Sequence, residues 1–307
     1  MLCIPPKHDI KEENAVSRQK FTAFIKTIEL GSITKAATYL GYTQSAVSRM
    51  IADLEEEWGL TLLTRSRAGV SISSDGLTLL PLLRSICAGY ENLDQAVTEL
   101  HGVQTGTIRV GTFTSVATSW LPQIIKTFHE RYPNIEFQLI NSENYSEIED
   151  WIRHGVVDCG FVSIPTVNDL DVTYLKQDML VAVLPPTHPL AEAPLYPIPQ
   201  LYTETFIKLK EDSDYEITRF LDSLEKKPKL GYEVSDDHTI LSMVECGLGM
   251  SIMHALIAKN PRYNVVWKTL DRPQYRDIGI AVRKSARPSG ITDQFIAQVK
   301  TWVDGNA

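Results

Sequence analysis

The stretch SITKAATYLGYTQSAVSRMIADLEEEW, residues 32–58, decides the fold of the N-terminal part of this chain. Ser32 and Thr43 each precede a run with apolar residues at helical spacing, and Gly41 separates the two runs. Ser and Thr cap helix starts, and Gly ends helices. The stretch therefore predicts a short helix, a tight turn and a longer helix.

Small side chains in this stretch allow the two helices to cross closely. Ala36 and Ala37 lie on the inner face of the shorter helix, where a tight helix-turn-helix has no room for bulk. Upstream, RQKFTAFIKTIEL, residues 18–30, has apolar residues at helical spacing and is followed by Gly31. We therefore predict a compact unit of three helices.

The exposed start of the third helix carries side chains that can hydrogen-bond base edges or phosphates. They are Thr43, Gln44, Ser45, Ser48 and Arg49. The same pattern also fits a solvated helix face with no ligand. LTLLTRSRAGVSIS, residues 60–73, follows as two strand-like runs about a turn, which predicts a wing with Arg65 and Arg67 at its tip. Residues 18–72 thus read as a winged helix-turn-helix.

A long helix is predicted from residue 73 to 101, because its apolar residues alternate steps of four and three, the spacing of a coiled-coil seam. A second copy of the chain would cover this seam, although a core helix in a monomer is the alternative. Residues 102–106 contain two glycines and predict a hinge. The predicted seam consists of Leu79, Leu83, Ile86, Tyr90, Leu93, Val97 and Leu100.

From residue 107 onward, strands and helices alternate in two successive sets, which predicts two similar lobes with mostly parallel sheets and a cleft between them. The predicted fold class is α/β overall, with an all-α winged unit in front. We assign lobe I to residues 107–177 and 269–307, and lobe II to residues 178–268.

Composition limits the class of protein. The chain has 43% hydrophobic and 22% charged residues, as soluble proteins do, and no apolar run long enough to span a bilayer. Residues 1–17 hold Pro5, Pro6 and several charges where an export signal would be apolar, so we expect a flexible tail and a cytoplasmic location. We predict no membrane contact.

The net charge of -8 at first argues against a polyanionic partner, yet residues 18–67 hold seven cations against five anions. A local basic patch is what phosphate contact requires. The four cysteines lie far apart and fit neither a zinc site nor a disulfide framework. We expect no metal and no cofactor, and a redox role for Cys159 or Cys246 stays open.

The run FTAFIKTIELGSITKAATYLGYTQSAVSRMIADLEEEWGLTLLTRS resembles the N-terminal domain of LysR-type transcriptional regulators in its ordered GS, AA, L, TQSAVS, I, LE and G positions. Weaker similarities follow in ISSDGLTLLPLLRS, THPLAE and ECGLGMSIM. The resemblance implies a DNA-binding regulator that forms homodimers through the linker helix and homotetramers from paired dimers. It also implies a small-molecule effector and contact with RNA polymerase.

The resemblance also implies where ligands bind. Duplex DNA would contact the helix-turn-helix and wing through Ser32, Thr34, Lys35, Tyr42, Thr43, Gln44, Ser45, Ser48, Arg49, Arg65 and Arg67. The family's sensor domain is similar to periplasmic binding proteins, so the chain would cross between lobes near Lys176–Leu180 and Trp267–Leu270. A small polar or anionic effector would then meet Thr114, Ser115, Ser142, Asn144, Ser163 and Asp236. Each of these six, taken alone, is also explained as a plain helix cap or turn residue.

Two other functions compete with this interpretation. A two-lobed solute-binding protein without a DNA role would lack the trihelical unit. An enzyme would need an active site, and His154, Asp158, His188, Asp237 and His238 match no spacing of a nucleophile, metal or phosphate motif. The sequence therefore predicts a regulator that is not an enzyme, and leaves its effector, target genes and sign of regulation open.

Overall fold

The computed structural model describes residues 7–66, 69–100, 105–166, 170–210, 215–259, 261–284 and 288–306. The described residues divide into two compact units, one up to Gln95 and the other containing Ala96–Arg153 and the residues from Val157 onward. The first is a winged helical unit and the second a two-lobed α/β unit. The predicted fold class is therefore confirmed.

The three helices predicted at the start of the N-terminal unit are present, and the second and third begin and end where the sequence predicts. The side chains of Ser32 and Thr43 each accept a hydrogen bond from the backbone N–H three residues ahead, at 3.3 and 3.2 Å. Gly41 and Gly59 end the second and third helices at φ of 73° and 65°, a left-handed backbone that glycine adopts without a Cβ clash. The helices are α1 (Lys7–Leu30), α2 (Ile33–Leu40) and α3 (Gln44–Trp58).

Helix α1 is longer than predicted. It begins at Lys7 and not at residue 18, so the expected flexible tail is wrong for residues 7–17, while residues 1–6 lie outside the described part. Residues 7–17 carry mixed charges without an apolar stripe, and periodicity gave no sign of a helix. They contain neither Gly nor Pro, however, and Lys and Glu are good helix formers.

The wing and the linker helix follow. Strands β1 (Leu63–Ser66) and β2 (Gly69–Ile72) form an antiparallel pair in which Leu63 lies opposite Ile72. The Ser73 side chain then accepts a hydrogen bond from the N–H of Gly76, which caps α4 (Ser74–Leu100). Helix α4 continues through Pro81.

Lobe I of the C-terminal unit has a mixed sheet with helices packed on it. Its core includes Ile108, Phe128, Phe161 and Phe295, all nearly inaccessible to solvent. Its elements are β3 (Gly106–Thr112), α5 (Thr114–Ser119), α6 (Leu121–Arg131), β4 (Ile135–Asn141), α7 (Tyr145–Arg153), β5 (Cys159–Ile164), the first part of β6 (Leu170–Leu184), β11 (Tyr275–Arg283) and α11 (Gly290–Gly305). Because β3 begins at Gly106, the last residue of the predicted hinge belongs to this strand.

Lobe II continues from the second part of β6 and has its own apolar clusters, which include Leu184, Phe206, Ile207 and Val244. A 3-10 turn over Ile198–Tyr202 precedes its first strand. Its other elements are β7 (Thr205–Leu209), α8 (Tyr215–Asp222), β8 (Lys229–Val234), α9 (Asp237–Glu245), β9 (Ser251–His254), α10 (Ala255–Ala258) and β10 (Val266–Thr269).

The expectation of a mostly parallel sheet is wrong for half of lobe I. Strand β3 is parallel to β4 and β5, as predicted, but β11 is antiparallel to both β5 and β6. The reason is topological, since one strand carries the chain from lobe I to lobe II and the other brings it back, so the two run in opposite directions.

The crossings between lobes lie within or near the predicted stretches. Strand β6 pairs with β11 up to Met179 and with β9 from Leu180, so the first crossing falls inside the expected range. Strand β10 still pairs with the lobe II part of β6, and Leu270 is buried in the lobe II core. The return therefore lies between Leu270 and Tyr275, later than the predicted Trp267–Leu270 and the boundary at residue 269.

Candidate nucleic-acid interface and ligand cleft

Helix α3 has one buried and one exposed face. Val47, Ile51 and Leu54 are inaccessible and pack with Phe24 and Ala37 in the core of the N-terminal unit. The two alanines of α2 are also buried, as the close crossing requires. The other side chains at the start of α3 therefore point away from this core.

The predicted DNA-contacting residues gather around this outward face. Thr43 caps α3, and its hydroxyl lies 3.1 Å from that of Ser45. Ser32 caps α2 and is partly exposed, and Ser48 is also partly exposed. The other described members are exposed on α2, the turn or the start of α3: Thr34, Lys35, Tyr42, Gln44, Ser45 and Arg49.

Fewer cations of the predicted basic patch are available to DNA than the count of charges suggests. Arg18, Lys20 and Lys26 form ion pairs with Asp94, Glu57 and Glu29 inside the N-terminal unit. Lys35 and Arg49 form no ion pair within the described part of the chain. Among the described side chains of residues 18–67, the cations without an ion pair therefore lie on the helix-turn-helix, at Lys35 and Arg49.

The wing is fixed to α3 by a residue that sequence reasoning missed. Glu55 Oε1 accepts hydrogen bonds from the backbone N–H groups of Leu62 (2.7 Å) and Leu63 (3.1 Å). Its place among three consecutive glutamates near the end of α3 gives no local sign of this role. The backbone of Arg65 lies in β1 opposite Val70, whereas the Arg65 side chain and Arg67 lie outside the described residues.

The apolar seam of α4 is covered by its own chain at its start. Leu83 is 4% exposed in the core of the N-terminal unit and Leu79 packs partly against that core, so the prediction that a second copy covers the seam is wrong for these two. Tyr90 lies under the guanidinium of Arg18, at 5.4 Å. The Leu100 side chain lies outside the described residues.

Beside and beyond these covered residues, the apolar stripe of α4 is exposed. Ile86 is 45% exposed, Leu93 59% and Val97 46%, and Leu82, which was not predicted, is 59% exposed. Their spacing of four, seven and four residues puts all four on one side of the helix. We call Leu82, Ile86, Leu93 and Val97 the open seam.

A buried arginine organises the floor of the cleft between lobes I and II. Arg276 donates to Asp178 Oδ2 from Nε and Nη2 (3.2 and 2.7 Å), to the Tyr145 hydroxyl (2.7 Å) and to the Ser115 hydroxyl (2.6 Å). Its guanidinium also lies 4.6 Å from the Phe113 ring centre. Burial by itself lowers the pKa of Arg276, but the Tyr145 and Asp178 oxygens more than offset this and raise the pKa overall.

The cleft is closed around this group. The cavity between the lobes has a volume of about 20 Å³, enough for about one water molecule. Ser115, Glu143, Tyr145 and Arg276 line it from lobe I. Leu209, Ile217, Asp237, His254 and Ile257 line it from lobe II. Hydroxyl, carboxylate, imidazole and guanidinium groups thus converge on one point.

Of the six predicted effector contacts, Ser115 lines this cavity. Thr114 donates from its backbone N–H (3.1 Å) and its hydroxyl to Glu143. Asn144 caps the start of α7 by accepting a hydrogen bond from the Glu147 N–H, and Ser142 accepts one from the Asn144 N–H in the turn before it. For these two, the interpretation as turn or cap residues describes what the structure shows.

The remaining two predicted contacts also have protein partners. Asp236 caps α9 through the N–H and hydroxyl of Thr239, and these hydrogen bonds lower the pKa of Asp236. The Ser163 hydroxyl donates to Glu216 of lobe II. The main cleft residues, Tyr145 and Arg276, were missed because Arg276 meets Asp178 across 98 positions of sequence and no local pattern marks such a pair.

A metal site, a membrane-spanning helix and a reactive thiol each place a distinct requirement on the described residues. No group of three or more His, Cys, Asp or Glu there is arranged to hold a metal ion. Nor does any described helix combine the length and apolar character that crossing a membrane requires. Cys159 is buried, and burial raises the pKa of its thiol, as it does for Cys87, which keeps both protonated.

Comparison with known families identifies both units. Residues 19–77 match the family described as "Bacterial regulatory helix-turn-helix protein, lysR family", and residues 101–304 match "LysR substrate binding domain". "Uncharacterized HTH-type transcriptional regulator YvbU" of Bacillus subtilis (strain 168) is 30% identical over 90% of this chain and 95% of the relative.

Solved structures share the fold. A full-length OxyR variant from Pseudomonas aeruginosa superposes with a TM-score of 0.74 at 18% identity, over 92% of this chain and 97% of that one. "Crystal structure of full-length CbnR complexed with the target DNA complex" has a TM-score of 0.66 at 19% identity, over 93% of this chain and 99% of that one. At these identities the likeness concerns the fold.

Proposed function

Because this chain belongs to the LysR family of transcription regulators, we propose that the outward face of α3 reads base edges in the major groove of its operator. The protein is a DNA-binding regulator with an effector-binding domain. The observation that carries the proposal is the division of α3 into a buried apolar face and an exposed start with Gln44, Ser45 and Arg49. A helix held in this way by its own core presents its first turn to DNA.

In this proposal the wing supports binding without reading sequence. Arg65 and Arg67 contact phosphates, and Glu55 sets the position of the wing relative to α3. Fluorescence anisotropy with duplexes from the DNA upstream of the regulator's own coding sequence, against shuffled duplexes of equal composition, tests the function. A preference for one native duplex supports it, and equal binding of all duplexes contradicts it.

We propose a homodimer held by the open seam of α4. Two such apolar stripes bury each other in a coiled coil, and the pair supplies two copies of α3 for two half-sites of an interrupted dyad. Pairs of dimers then form a tetramer that bends the DNA between neighbouring sites, at a cost of about a few kcal/mol that extra contacts offset.

We propose that the effector binds in the interlobe cleft. The cavity holds about one water, so the lobes must separate to admit a ligand. A ligand that binds the open and closed arrangements with different affinity shifts their populations and thereby the DNA geometry. Since Asp178 already neutralises Arg276, and Glu143 and Asp237 also line the cavity, its chemistry favours a small polar effector over a purely anionic one.

Membership of the family also supports several finer proposals. We propose that the protein acts in the cytoplasm, contacts RNA polymerase and catalyses no reaction. A solute-binding protein without a DNA role does not account for the helix-turn-helix domain matched at residues 19–77.

A further inference from the structure

A second cavity lies in the C-terminal unit beside the crossover strand, outside the interlobe cleft just described. Its volume is about 840 Å³. It is bordered by the end of α5 and start of α6, by the part of β6 that crosses between the lobes, and by α10 with the residues after it. We call this cavity the hinge groove, after the strand crossover between lobes I and II and not after the predicted hinge at residues 102–106.

Basic side chains from both lobes line the hinge groove. Lys176 lies on the lobe I part of β6, and Lys259 and Arg262 follow α10 in lobe II, with His238 nearby. Asp178 is the one carboxylate among the described lining residues. Its charge is neutralised by Arg276, and its Oδ1 accepts a hydrogen bond from the Leu256 N–H at 3.1 Å. Lys176 and Lys259 therefore give the groove a positive charge, although the whole chain carries a net charge of -8.

The charges of the two lysines are available to a ligand. Neither Lys176 nor Lys259 forms an ion pair within the described ranges of the chain. The Lys259 ammonium lies 4.5 Å from the centre of the Trp267 ring, which attracts the cation and leaves its N–H donors for another partner.

Apolar surface completes the groove. Met179, Leu256 and Tyr275 form part of its lining, and Tyr275 is 47% exposed. A pocket with an apolar wall and a few cationic donors suits a molecule that has an apolar body and one anionic group. Inorganic phosphate would use the lysines alone and leave the wall uncovered.

We propose that the hinge groove binds a small organic anion, one with a carboxylate or phosphate group on an apolar body, independently of the effector in the interlobe cleft. Lys176 and Lys259 hold the anionic group from the two lobes. The floor of the groove already joins the lobes, since the Ser119 hydroxyl donates to the Leu256 carbonyl at 2.8 Å. An anion between the lysines therefore stabilises this arrangement of the lobes.

Isothermal titration calorimetry of the full-length protein tests the proposal. The probes are benzoate, phenyl phosphate, inorganic phosphate and neutral benzyl alcohol. The test variant is Lys176→Met with Lys259→Met, which keeps the apolar stems. The control variant is Lys229→Met with Lys300→Met, which removes the same charge from exposed positions, one in each lobe. Circular dichroism confirms that each variant is folded.

The proposal expects saturable binding of benzoate or phenyl phosphate, tighter than that of inorganic phosphate or benzyl alcohol. Which aromatic anion binds better distinguishes carboxylate from phosphate. Affinity falls on the order of tenfold in the test variant and stays unchanged in the control. Absence of saturable binding, or an equal loss in both variants, overturns the proposal. So does a test variant with unchanged affinity but an altered sedimentation coefficient, because a second copy of the chain would then cover the groove.

Discussion

The Ser163 hydroxyl donates a hydrogen bond of 2.5 Å to Glu216 Oε1, and both side chains are buried. Ser163 lies near the end of β5 in lobe I, and Glu216 lies in the first turn of α8 in lobe II. This hydrogen bond therefore spans the two lobes whose cavity holds about one water. It belongs to the closed arrangement and must break when the lobes separate.

Replacing Ser163 by Ala should favour separation of the lobes. The closed arrangement loses one hydrogen bond to a buried carboxylate, which costs about 1–3 kcal/mol, and water takes the place of that donor when the lobes open. Hydrogen exchange of the β5 and α8 amides should accelerate in the ligand-free protein. Thr127→Ala, which removes a hydroxyl bonded to the Gln123 carbonyl in its own helix, is the control. Equal exchange in both variants would show that the Ser163–Glu216 contact does not hold the lobes together.

Replacing Glu55 by Ala should detach the wing from α3. Two backbone N–H groups lose a charged acceptor, which should lower the free energy of unfolding by about 1.5–3 kcal/mol. Urea denaturation measures this change. Affinity should fall for every duplex, because in the proposed complex the wing contacts phosphates and not bases. Glu56→Ala removes the same charge from an exposed neighbour and should change neither quantity. If both variants behave alike, the carboxylate acts only through its charge.

Local features of the N-terminal unit could be predicted from sequence because their causes are local. Ser32 and Thr43 cap the helices that follow them, and Gly41 ends α2, each through contacts within a few residues. Helix α1 was predicted too short because charged residues without an apolar stripe leave no periodic signal. Propensity alone extends such a helix.

Contacts distant in sequence set the limit of prediction. Heptad spacing placed Leu83 on an apolar stripe, but spacing cannot say which surface covers it, and the N-terminal core does. Arg276 is similar, since its partner Asp178 becomes a neighbour only through the antiparallel pairing of β6 and β11.

Charge on the open seam of α4 should dissociate the proposed dimer. Ile86→Glu with Leu93→Glu places two carboxylates in an apolar interface, where burying an unpaired charge is unfavourable. Sedimentation velocity should show monomers, and the circular dichroism spectrum should show an unchanged helix content. Leu77→Glu is the control, because Leu77 is 59% exposed, and nine residues of helix turn it about 180° from Ile86. A variant with the same sedimentation coefficient as the wild-type protein would place the dimer interface elsewhere.

The most direct test of the central claim is competition binding that compares operator with random duplex for Gln44→Ala and Ser48→Ala, with Gln19→Ala on α1 as the control. If the start of α3 reads bases, at least one of the two substitutions should reduce discrimination by about 1–3 kcal/mol while the control retains it. Full discrimination in both variants would contradict the assignment of α3 as the reading helix.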